Sequence, residues 1–166
     1  MTLVLAAVGA VVAGLLELTV APHIAVAGVQ PHLVLVLGVI WTVAAGLETG
    51  LVWAFAGGLL LDVLAPRPLG VSAFALLLSL GAAYVGGRAL TRARPLAPIP
   101  LVFVLTIVNS LVLLVVLGAL SAPISVSDPL RALLPGAVYD TVVAAVLGPL
   151  FVSLRDRYAE EERADW

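Results

Sequence analysis

Apolar runs of about 20 residues, the length a helix needs to cross a hydrocarbon core, recur along nearly the whole chain, broken only by short clusters of proline, glycine and charge. In lipid every backbone polar group must find its partner within the protein, so runs of this kind are expected to form helices. Composition agrees: 63% of the 166 residues are hydrophobic and 11% charged, too little polar surface to cover such a chain in water. The expectation is an all-α integral membrane protein with no soluble domain. The first run, Met1 to Val20, has no basic start and no small-residue cleavage site, and reads as a retained span. The chain has no cysteine, which removes disulfides, thiol catalysis and thiolate metal sites together.

The breaks divide the sequence into six helices over roughly 2–20, 31–46, 50–65, 69–89, 99–120 and 130–154. A six-helix transmembrane domain over 1–154 and a charged cytoplasmic tail over 155–166 follow. The second and third helices are short, since 16 residues rise only about 24 Å against a core of ~30 Å. They are expected to form a tight hairpin with "GLETG" at its tip and Glu48 in headgroup water. Asp128 reads as the cap of the sixth helix, Pro129 as its first residue, and Pro149 as a kink.

Orientation rests on arginine, because there is no lysine. Arg88, Arg92 and Arg94 lie between the fourth and fifth helices, Arg155, Arg157 and Arg163 in the tail, and only Arg67 and Arg131 fall on the opposite side. With six spans, the excess of positive charge puts both termini in the cytoplasm.

That orientation gathers Glu17, Asp62, Arg67 and Asp140, with His23, His32 and Arg131, into the outer half. An ionised group at mid-bilayer costs about 2.5–3.5 kcal/mol on insertion scales, so these residues must face the bundle or the interface. Two readings stand: solvation and internal pairing, such as Asp62 with Arg67, or an outward ligand pocket. Metal is not expected, because neither H-x3-H nor E-x-x-H occurs at helical spacing. No nucleophile–base pair is apparent, and no cofactor is expected. Thr106 and Asn109 read as interhelical hydrogen bonds.

Gly46, Gly50, Ala54, Gly57 and Gly58 recur at three- and four-residue spacing and, with Gly70 before the fourth helix, are expected to form a helix-packing or partner face. Contact within the fold and contact with another chain are both open on this pattern.

Pro31, Leu33, Leu35 and Gly38, then Gly46, Gly50 and Phe55, then "GLLLD" from Gly58 to Asp62, then Leu69, Gly70, Ala73 and Phe74, form a pattern that resembles the rod shape-determining protein MreD family. The resemblance implies a non-enzymatic, multi-pass protein of the bacterial inner membrane that binds MreC and, through it, associates with MreB filaments and peptidoglycan synthases. It also implies a fold similar to the substrate-binding S components of energy-coupling-factor vitamin transporters, and a vitamin-binding S component is the alternative function. Membrane lipids are expected contacts, nucleic acid is not, and self-association stays open.

Overall fold

The computed structural model describes residues 1–26, 28–65, 68–89, 98–120 and 129–164. Arg67, Arg92, Arg94, Asp128 and most of the loop between Arg88 and Pro100 lie outside the described residues.

Among the described residues six α-helices follow in order: α1 (Thr2–Thr19), α2 (Leu33–Ala45), α3 (Leu47–Leu64), α4 (Val71–Ala89), α5 (Pro98–Ala119) and α6 (Pro129–Ala164). A short 3₁₀ turn, Ala21–Ile24, and a single bridge between Val26 and Val29 shape the link from α1 to α2. Among the described residues, α1, α3, α4 and α5 are long and apolar enough to cross a membrane, whereas α2 and the segment Leu133–Pro149 of α6 are shorter apolar helices.

The helices differ from expectation at their ends. The turn between α2 and α3 is tighter than "GLETG" suggested: Gly46 alone makes it, at φ +99°, where a side chain would be strained. Glu48 therefore sits in the first turn of α3 rather than at a loop tip. Helix α6 runs on past 154 to Ala164, with Pro135 and Pro149 inside it.

Helix α2 is the axis of the bundle and packs against each of the other five helices. A helix surrounded in this way is apolar all round rather than amphipathic. Val34, Leu35, Val36, Val39 and Ile40 are all buried in the core accordingly. At 13 residues it rises only about 20 Å, so in a bilayer at least one of its ends lies below the headgroups.

Trp53 of α3 locks this centre. Its indole N–H donates to Val34 O at 3.0 Å. Two glycines make room for the ring: a methyl on Gly38 would lie 2.9 Å from its Nε1, and one on Gly9 2.6 Å from its Cζ3. Trp41 stacks on it with centroids 5.6 Å apart, and Phe151 packs against Trp41 at 5.7 Å. The outward-facing residues Leu3, Val4, Val8, Phe55, Val85 and Val115 are large and apolar, as a lipid-facing surface requires.

Candidate functional site

Helix starts leave backbone N–H groups without partners, and a start below the headgroups has no water to supply them. The bundle meets this need with carboxylates brought from other helices. Helix α2 receives two. Glu17, near the end of α1, accepts from Val34 N at 2.8 Å. Asp140 of α6 accepts from His32 N at 2.8 Å and from His32 Nδ1 at 2.9 Å. Thr106 of α5 donates its hydroxyl to the same carboxylate at 3.0 Å, so Asp140, fully buried, joins α2, α5 and α6. A carboxylate only accepts, which fixes the His32 ring proton on Nδ1.

Helix α4 is served by the "GLLLD" motif. Asp62 is buried, and its Oδ2 accepts from Gly70 N at 2.8 Å while its Oδ1 accepts from Ser72 N at 3.0 Å. Gly58 stands one helical turn before Asp62 and so on the same face. A methyl on Gly58 would lie 2.5 Å from Ala73 N. The glycine lets the backbone of α4 approach, and the aspartate caps what arrives. Both helix starts thus place negative charge at the positive pole of a helix dipole.

The acids of the predicted polar cluster gather at one end of the bundle. Glu17, His32, Ser72 and Asn109 line a common cavity there, of about 70 Å³. The expected Asp62–Arg67 pair involves a residue outside the described ones; the Asp62 carboxylate accepts from backbone N–H groups. Among the described residues no group of three or more His, Asp or Glu side chains is disposed to hold a metal ion. Tyr139 and His23 steady the α1–α2 link, donating to Ile24 O at 2.7 Å and Thr19 O at 2.8 Å.

The expected packing face divides. Gly50, Gly57 and Gly58 face close neighbours within the fold, namely Thr42, Val34 with Ala10, and Ala73, and Ala54 is fully buried. Gly46 and Gly70 do not belong with them. A methyl on either would meet nothing within 4 Å, and their φ values of +99° and +93° mark them as turn glycines. Asn109 also departs from expectation: it is buried, yet its Oδ1 has no hydrogen-bond partner among the described residues, whereas Thr106 makes the interhelical bond. Sequence reasoning missed the seating of Trp53, although glycines at Gly9 and Gly38 on two separate helices were its signal.

Described residues that are almost wholly helical, with several apolar helices long enough to span and with buried acids turned to helix starts, define a helical membrane protein. The chain belongs to the MreD family: the family model described as rod shape-determining protein MreD matches residues 1–157. Membership supports a role in determining rod shape. Comparison with curated proteins and with solved structures gave no match.

Proposed function

We propose that the chain is a non-enzymatic scaffold of the rod-shape machinery, crossing the bacterial inner membrane six times with both termini in the cytoplasm. It binds an MreC-like protein and, through it, is coupled to MreB-like filaments and peptidoglycan synthases. Its bundle is S-component-like in this reading, with Glu17, Asp62 and Asp140 at the outer end.

One observation carries the choice of scaffold over vitamin carrier. The cavity beside the polar cluster measures about 70 Å³, while pockets for drug-sized ligands occupy about 300–1,000 Å³. The acids around it cap helices, so the polar cluster is accounted for without a vitamin. Family membership over residues 1–157 supports the same reading.

Co-purification from native membranes tests it. The tagged chain should retain an MreC-like protein, and that partner should raise its melting temperature. A screen of soluble vitamins should leave the melting temperature unchanged, although a true ligand at a hundredfold excess over its Kd would add about 2.7 kcal/mol. A vitamin that stabilises the protein, with no effect of the MreC-like partner, would reverse the assignment.

Topology is a separate prediction. Reporters fused after Trp166 or inserted after Arg92 should report cytoplasm, and one near Ser125 should report periplasm. A periplasmic signal from Trp166 would end the six-span arrangement.

A further inference from the structure

Helix α4 carries a charged group at one end of an apolar outer surface. Phe74, Leu78 and Val85 are exposed along it, and with Gly81 and Arg88 they recur at three- and four-residue spacing, which sets them on one face. Arg88 closes this face in the last turn of the helix. Its Nη1 donates to the Tyr84 hydroxyl oxygen at 3.3 Å, and its guanidinium lies 5.7 Å from the centroid of the Tyr84 ring, within cation–π range. The two contacts hold the charge of a long side chain in one place. Because the phenol oxygen is the acceptor, its own proton is left for a second acceptor. Arg88 forms no salt bridge with a described residue. Charge in this part of the sequence has one sign: Arg88, Arg92 and Arg94 lie close together, and no Asp or Glu occurs between Asp62 and Asp128.

Nearer the middle of the helix the same face has a notch. A methyl on Gly81 would meet nothing within 4 Å, whereas the spaces at Gly57 and Gly58 are taken by Val34 and Ala73. From Gly81 to Arg88 the helix rises about 10 Å. The face therefore presents a cation and a hydroxyl at its end, with an open apolar trough leading away from them. The end of a helix is a negative pole, but here the start of α5 stands beside it, since Leu101 of α5 fills the space at Gly86. The opposed poles of the two helices offset each other, and the guanidinium sets the local charge.

We propose that this face of α4 binds an anionic phospholipid, with its phosphate on the Arg88 guanidinium and the Tyr84 hydroxyl and an acyl chain in the notch at Gly81. A phosphate oxygen is an acceptor suited to both donors, and a guanidinium binds it through its planar fork. A zwitterionic headgroup brings a further positive charge, for which this stretch of sequence supplies no acid. The site goes beyond the scaffold reading, needs no partner protein and holds whichever side of the membrane this end faces.

Native mass spectrometry of the purified full-length chain tests it, by titration with phosphatidylglycerol or with phosphatidylcholine of the same acyl chains. Phosphatidylglycerol should bind more tightly by about fivefold or more. Arg88→Gln should weaken phosphatidylglycerol about fivefold, the worth of one arginine at an anionic membrane surface, and leave phosphatidylcholine unchanged. Tyr84→Phe, which keeps the ring and removes the hydroxyl, should weaken it by less. Gly81→Leu fills the notch in open space, so it should weaken phosphatidylglycerol without lowering the melting temperature. Equal affinity for the two lipids, or undiminished phosphatidylglycerol binding in Arg88→Gln or in Gly81→Leu, would overturn the proposal.

Discussion

Replacing Asp62 by alanine should destabilise the bundle by about 2–4 kcal/mol, because it removes the acceptor for two backbone N–H groups at a buried helix start. Gly70 N and Ser72 N both donate to this carboxylate, and Asp62 is only 2% exposed, so little water can replace it. Asp62→Asn keeps one carbonyl oxygen and should lose about half as much. The double exchange Asp62→Arg with Arg67→Asp should rescue nothing, since a guanidinium has no acceptor to offer an N–H. Unfolding of the purified variants in detergent measures all three. Wild-type stability in Asp62→Ala, or recovery in the double exchange, would remove the capping role and restore an ion pair as the purpose of this residue.

The second large effect should come from Gly58→Leu, at or above the top of the ~1–3 kcal/mol range for overpacking. An added Cβ would lie 2.5 Å from Ala73 N and 2.9 Å from Ser72 C. These are backbone atoms and cannot rotate aside, so α3 and α4 would have to separate and draw Asp62 away from its donors. Gly57→Ala adds a methyl that is crowded by the Val34 side chain, with Cγ1 at 2.7 Å, while the Ala10 methyl at 3.5 Å and Ala10 O at 3.7 Å are ordinary contacts. Its gain in helix propensity of up to about 1 kcal/mol offsets part of that strain. Leu51→Ile, at a position 36% exposed on the outer surface, should fall within about 0.5 kcal/mol of wild type. Melting temperatures that rank Gly58→Leu with Leu51→Ile would mean that α3 and α4 do not approach this closely.

Much of this architecture can be read from hydropathy. Apolar runs mark the helices because a helix satisfies its own backbone in oil, and the small residues at Gly50, Ala54, Gly57 and Gly58 mark a face of close approach because spacing alone puts them there. The roles of the acids are less legible. A sequence suggests opposite charges as partners for an acid, and so points from Asp62 to Arg67. The donors used are amides of Gly70 and Ser72, which every residue but proline carries and which no pattern of residue types reveals. His32 and Asp140 stand 108 positions apart, a pairing that depends on which helix the fold places at its axis. Gly46 matches the small-residue spacing, and Gly70 is grouped with it, for an unrelated reason: a positive φ and a close contact both favour glycine, and only coordinates separate the two.

The position of Asp140 has a consequence for how the protein is made. Helix α2 emerges from the ribosome early, but one of the two carboxylates at its start belongs to α6, the last helix to be synthesised. Until α6 is in place, the amide of His32 lacks the partner it has in the finished bundle, and Thr106 lacks the acceptor for its hydroxyl. The central helix is therefore completed by the C-terminal one. A chain halted before residue 140 carries all of α2 but not the carboxylate that completes the hydrogen bonding at its start.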